Sequence, residues 1–311
     1  MKKACALWFL LVSASIAGAQ APGVPVYPEG RGARPNVSIT EQAKKLQAAS
    51  ELLSVTKALE QAERTHCDIA LPPADSKPLP PRERWQRARM AHIRVGQFYL
   101  CSKCDRWHLD LAGGYAITAD AVATCAHVIA PPPNMKEGWL VAATEDDVLL
   151  PVTEVLACNP GTDCAILRLK SPQPLVALPL SLDVSPGDSV WCFSDPAGKR
   201  GYYSEGMVSR FVKRPFMSKK ESDKLPPGAE IPKPVWLETT ADWAPGSSGS
   251  ALIDQHGNAV GHVSEIQTVL EEPLPTRKKK NEGTVIQQLG TQMVVHQAIS
   301  AAEVKALVKK P

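Results

Sequence analysis

Downstream of position 92, the apolar residues fall in short runs separated by Gly, Pro, Asn and Asp. The runs cover 94–100, 112–118, 121–125, 139–143, 148–157 and 164–169, the spacing expected of strands in an all-β barrel. The pattern resumes at 187–194 and 202–210, with Asp195-Pro196-Ala197-Gly198 as the turn between them. Residues 236–241 lead into a tight turn at 244–250, and Leu252-Ile253 with 258–266 read as a hairpin around Asp254-Gln255-His256-Gly257. The last strand is 293–296 and 298–309 predicts a C-terminal helix. Upstream the period changes. From Ser38 to about Arg64 there is no Gly or Pro, and Ile39, Leu46 and Leu53 recur every seven residues, which predicts one amphipathic helix opened by a capping box of Ser38 and Glu41. That helix either packs on the downstream domain or serves as an oligomerisation or partner surface through residues 39–64. Pro72, Pro73, Pro78, Pro80 and Pro81 make 71–82 a stiff linker, and the Pro-, Gly- and Arg-rich stretch 20–37 reads as flexible.

Composition adds bounds. A chain of 311 residues with 44% hydrophobic and 22% charged residues is an ordinary globular protein. A net charge of +3 gives no argument for nucleic acid as a partner. Residues 1–19 read as a secretory signal: Lys2 and Lys3, an apolar core over 4–16, and the small residues Ala17-Gly18-Ala19. The core is too short to span a bilayer, and no later stretch can. The expectation is therefore a secreted or periplasmic protein, with 20–82 as an N-terminal segment and 92–309 as the main domain.

The chemistry concentrates in three places. Ala244-Pro245-Gly246-Ser247-Ser248-Gly249-Ser250 is a tight turn ahead of an apolar strand, and it presents Ser248 as a nucleophile. The backbone N–H groups of Gly246 and Ser248 can converge there as an oxyanion hole. A serine hydroxyl needs a base, and Thr124-Cys125-Ala126-His127 follows a strand-like run and supplies an imidazole. Asp163-Cys164-Ala165-Ile166-Leu167-Arg168-Leu169 supplies a carboxylate to orient it. The order His127, Asp163, Ser248 and these three motifs resemble the trypsin-like (chymotrypsin-fold) serine peptidases, and the HtrA-type and glutamyl-endopeptidase-type branches more than the digestive ones. The resemblance runs from about His92 to Lys309. It implies two six-stranded antiparallel barrels with the triad at their junction, a C-terminal helix, protein or peptide substrates, and no cofactor. No peptide-binding domain of the kind many HtrA-type enzymes carry is expected after the last helix.

The chain departs from the pattern in two positions. Ser247 stands where activated digestive enzymes have an aspartate, so no zymogen cleavage is expected, and Ser250-Ala251 replaces Gly-Pro. Substrate preference has weaker signals. Asp242 lies six residues before Ser248 and is either a selector for basic side chains or structural. Ser264-Glu265-Ile266 is expected beside the substrate, offering hydrogen bonds by strand addition, with Glu265 a possible basic-residue contact or simply solvated. The long basic loops 213–234 and 270–286, with Arg277-Lys278-Lys279-Lys280, read as solvated charge or as contacts for acidic partners.

Seven cysteines follow the signal, an odd number that leaves at least one unpaired within the chain. If the resemblance brings His127 and Asp163 together, Cys125 and Cys164 are neighbours and form either a disulfide or two buried thiols. Cys101-Ser102-Lys103-Cys104 with His108 has the spacing of two or three zinc ligands, but a local or long-range disulfide is the preferred reading, and no metal is assigned. Two functions remain: an exported serine endopeptidase, or a protease-fold binding or chaperone-like module with little turnover.

Overall fold

A computed structural model describes residues 25–27, 37–216, 229–270 and 290–309. The signal, the basic run 277–280 and most of the two long loops lie outside the described residues.

The strands lie close to where the apolar runs placed them. The first unit holds β1 (Ile93–Cys101), β2 (Trp107–Ala112), β3 (Tyr115–Ala116), β4 (Ala121–Thr124), β5 (Met135–Thr144), β6 (Leu149–Asn159) and β7 (Cys164–Leu169). The second holds β8 (Ser189–Ser194), β9 (Tyr202–Lys213), β10 (Val235–Thr239), β11 (Ala251–Ile253), β12 (Ala259–Leu270) and β13 (Thr291–Ser300). The second unit is a closed six-stranded barrel, β10-β13-β12-β11-β8-β9, as expected. The first differs from the expected six-stranded barrel: it is a seven-stranded sheet ordered β2-β1-β5-β6-β7-β4-β3. Two glycines explain the extra strand. The run 112–118 breaks at Gly113-Gly114, so its ends join different neighbours, Ala112 pairing with Val95 and Tyr115 with Ala123. The sheet still curls back on itself, because Tyr115 bridges His92 and Ile93 N–H donates to Gly114 O.

The N-terminal segment packs on both faces of that sheet. The single predicted helix is two, α1 (Val37–Ala48) and α2 (Val55–Gln61). Ser50 takes a left-handed φ of 57° and breaks the run, and Ser54 caps α2 by accepting the Lys57 N–H. Ser38 falls inside the first turn of α1 rather than capping it. Alternation along the strands shows what each helix does. Ile93, Val95, Leu140 and Ala142 face the interior with Leu53, Val55 and Ala58. Phe98, Val141 and Ala143 face outward, where Ile39, Ala43 and Leu52 bury them. Both faces of the sheet are therefore covered, so β1 is buried along nearly its whole length and its polar Arg94 and Gln97 are paired with Asp147 and Ala130 O.

The proline-rich stretch is bound down over the second barrel. Asp75 and Asn258 exchange two hydrogen bonds of 2.8 and 2.9 Å, and Arg87 pairs with Asp75 at 2.7 Å. A helix that the sequence reading missed, α3 (Pro81–Ala91), begins where the linker was expected to end. Its first proline lacks an N–H that the first helical turn leaves unused anyway. Arg84 on this helix lies 3.5 Å over the Trp191 ring. The last helix is short, α5 (Ala301–Ala306), with Ser300 as its cap. A shared core of Tyr115, Ile166, Leu178, Phe193, Ile253, Ile299 and Val304 joins the two units. No helix among the described residues is long and apolar enough to cross a membrane.

Candidate active site

The site lies where the units meet. His127 sits on a single helical turn, α4 (Ala126–Ile129), directly after β4. Asp163 follows the 3₁₀ turn Pro160–Thr162 at a left-handed φ of 53° and is wholly buried. Those two short elements bring the residues together. His127 N donates to Asp163 Oδ1 at 3.1 Å, and His127 Nδ1 lies 3.0 Å from both carboxylate oxygens. Burial alone raises the Asp163 carboxyl, but the hydrogen bond and charge of His127, with a hydrogen bond from Ser264, hold it below the usual carboxylate range.

Ser264 is in the site, and its side chain has a role beyond the backbone one expected. Its hydroxyl donates to Asp163 Oδ2 at 2.6 Å. A register shift between Val263 and Glu265 in the β12–β13 ladder bulges the chain at Ser264, and such bulges re-aim side chains. Glu265 is paired with Arg214 at 2.6 Å, so it is neither a free selector nor simply solvated.

The Ser248 turn docks on the first unit through backbone. Gly113 N–H donates to Ser248 O at 2.7 Å, Thr124 Oγ1 donates to Gly113 O at 2.7 Å, and Gly249 N–H donates to Val263 O at 2.7 Å. Gly246 has φ of 101° and Gly249 of 83°, both in the left-handed region that a Cβ opposes. Among the described residues, the amides of Gly246 and Ser248 donate to no internal acceptor. Among the described residues, the Ser248 hydroxyl and His127 Nε2 are not hydrogen-bonded to each other. Asp242 is exposed, its carbonyl accepts from Ser204 Oγ at 2.8 Å, and it edges a groove with Thr239, Thr240, Met293 and His296.

Sequence reasoning missed three neighbours. Phe216 stacks near His127 with ring centroids 6.2 Å apart at 11°. The His262 ring, fully buried, lies with Nε2 3.1 Å from Asp163 O, and burial keeps it neutral by lowering its pKa. Gly113 supplies the docking amide. Each lies tens of residues from its partner in the chain, with no local signature.

The Cys125–Cys164 disulfide is not formed. Cys125 Sγ donates to Val263 O at 3.1 Å and Cys164 Sγ to Thr162 O at 3.4 Å, so the two thiols turn to different carbonyls. Burial pushes both thiols well above their ordinary range. Cys125, His127 and Asp163 place donor atoms within 4.8 Å of one another, but the Asp163 oxygens are already engaged by His127 and Ser264.

Behind the Gly246–Ser248 turn lies a buried ionisable cluster. The Gly246 backbone faces Asp195 O, and Asp195 groups with His92 and Glu145. Arg94 and Arg200 pair with Asp147 in the same layer, and Tyr27 lies beside Glu145. Burial lowers His92 to about 4 and raises Glu145 to about 7. Unfolded, these groups titrate near 6.5 and 4.5. As pH falls from about 6.5 towards 4, the unfolded chain gains the His92 proton first, so stability is lost. As pH falls from about 7 towards 4.5, the folded chain gains the Glu145 proton first, so stability rises. The two slopes oppose. Glu145→Gln removes one, and its urea midpoint is expected to fall more steeply than wild type between pH 6.5 and 4.5. Parallel curves contradict that assignment.

Residues 112–261 match the family model of the trypsin-like peptidase domain. The matched span holds His127, Asp163 and Ser248 and ends just short of Ser264. The match supports a serine-protease hydrolase, with proteins as its substrates. Comparison with curated proteins found none that matches.

Proposed function

We propose that the chain is an exported serine endopeptidase that cleaves peptide bonds through Ser248, His127 and Asp163. The observation that carries this reading is the His127 Nδ1–Asp163 pair at 3.0 Å beside a serine turn whose two amides have no internal acceptor. With Nδ1–H held by the carboxylate, Nε2 is left as the base. It takes the Ser248 proton as the hydroxyl oxygen attacks the substrate carbonyl, a contact that tightens when substrate closes the cleft. The Gly246 and Ser248 N–H groups receive the developing oxyanion. Imidazolium then protonates the leaving amine, and water, deprotonated by His127, releases the acyl group from Ser248. The three motifs resemble the HtrA-type and glutamyl-endopeptidase-type branches more than the digestive ones, and Ser250 supports the second of these. Residues 39–64 serve the protease unit itself, because Ile39, Ala43, Leu52, Leu53, Val55 and Ala58 pack on its sheet. Export rests on residues 1–19.

The test is labelling with a fluorophosphonate probe. Wild-type protein lacking residues 1–19 is expected to label and Ser248→Ala to stay unlabelled. Folded wild type that does not label would instead indicate a binding module on this fold.

A further inference from the structure

We propose that Cys101, Cys104 and His108 bind one Zn²⁺ ion that fastens the β1–β2 hairpin tip to the loop leaving the His127 helix. The three donor atoms already lie within 4.8 Å of one another. β1 ends at Cys101, and Asp105, at a left-handed φ of 49°, closes the turn by donating its N–H to Cys101 O at 3.0 Å. That turn carries Cys104 back towards β2, where its Sγ lies 3.1 Å from His108 Nε2. Bonds of about 2.3 Å to sulfur and 2.0–2.1 Å to nitrogen put tetrahedral sulfur–nitrogen edges at roughly 3.6 Å. The trio therefore needs only a small opening to accept the ion.

The surroundings fit a metal thiolate better than a free thiol. Cys101 is buried, and its sulfur receives the Lys103 N–H at 3.4 Å and the Asn134 Nδ2–H at 3.0 Å. A neutral thiol accepts weakly, whereas a metal-bound thiolate draws such second donors. Asn134 is itself fixed, because its carbonyl accepts from both Ser102 N and Ser102 Oγ. The His108 ring stacks on Tyr99 with centroids 5.3 Å apart at 19°, which sets its plane. Two thiolates and an imidazole form a soft donor set that suits Zn²⁺, and the thiolate charges neutralise the ion. Cys104 is exposed, so water takes the fourth position. Asn134 ends the segment that runs from α4, and Gln97 Nε2 holds the same segment at Ala130 O, 2.6 Å away. The ion thus secures the far end of the loop whose near end carries His127.

The test is a Co²⁺ titration of the purified, reduced chain without oxygen. One equivalent is expected to produce a thiolate-to-cobalt charge-transfer band with tetrahedral visible bands, both erased by Zn²⁺. Cys104→Ser, a change at an exposed residue that leaves the core intact, is expected to lose the band. Cys125→Ala, which removes a donor from the other cysteine-containing trio, is expected to keep it. Asn134→Ala keeps the band but binds about tenfold more weakly or worse. No band in folded wild type overturns the site, as does a band that survives Cys104→Ser. A Cys101–Cys104 disulfide found by peptide mapping of chain purified without reductant also overturns it.

Discussion

Asp163→Asn is expected to lower kcat on a peptide substrate by about 10⁴ while the protein stays folded. The carboxylate is buried and accepts from His127 Nδ1, His127 N and Ser264 Oγ. Asparagine keeps the shape and tolerates the left-handed φ of 53°. Its carbonyl oxygen stays on the Oδ1 side to accept from the His127 backbone N–H, and the Ser264 hydroxyl turns to accept from the NH₂ group at the Oδ2 position. The NH₂ group then faces His127 Nδ1 and can only donate, so the imidazole must present Nδ1 as an acceptor. The ring proton moves to Nε2, the atom that has to take the Ser248 proton, and the base is lost. Fluorophosphonate labelling is expected to slow with kcat, and circular dichroism to remain unchanged. A loss of tenfold or less would mean that Asp163 does not set the tautomer and that His127 draws its orientation from elsewhere.

The sequence carried the strands because a strand's apolar run is local, and it carried the Ser248, His127 and Asp163 motifs because each is contiguous. What it did not carry depends on contacts across the fold. Ser264 looked like a substrate-facing strand residue, and only the bulge against β13 turns its hydroxyl onto Asp163. Residues 112–118 looked like one strand, yet Gly113 leaves the ladder to donate to Ser248 O. Cys125 and Cys164 do come close to the same carboxylate, but sequence proximity to the triad says nothing of side-chain direction, and each sulfur finds its own carbonyl. The Ile39–Leu46–Leu53 heptad spacing suggested one helix face. In the fold Ile39 and Leu53 serve different sides of one sheet, and Ser50 makes the turn between them. Proline count made 71–82 look like a spacer, although Pro81 starts a helix and Asp75 is anchored to Asn258.

Gly249→Ala is expected to be strongly destabilising, because it combines backbone strain with overlap. Gly249 has φ of 83°, which costs an L side chain about 1–3 kcal/mol by itself. The added Cβ would also overlap Gly113 O and Thr124 Oγ1 and sit 3.0 Å from Gly113 C. None of these can step aside cheaply. Gly113 N–H is bound to Ser248 O, Thr124 Oγ1 is bound to Gly113 O, and Gly249 N–H is bound to Val263 O, all at 2.7 Å. The methyl therefore drives the nucleophile turn off the first unit, and the strain and overlap together place the cost at about 3–5 kcal/mol. For a domain of this size that corresponds to a fall in Tm on the order of 10 °C. Gly246→Ala separates stability from chemistry. There the Cβ meets Asp195 O at 3.0 Å and Ala197 N at 3.8 Å, so φ strain at 101° dominates and the cost stays at about 1–3 kcal/mol. That variant should fold with a modestly lowered Tm but label slowly, because rotating the peptide moves an oxyanion amide. Scanning calorimetry of both variants beside probe labelling decides the matter. A Gly249→Ala protein that melts with wild type would show that the two units do not depend on this close approach for their docking.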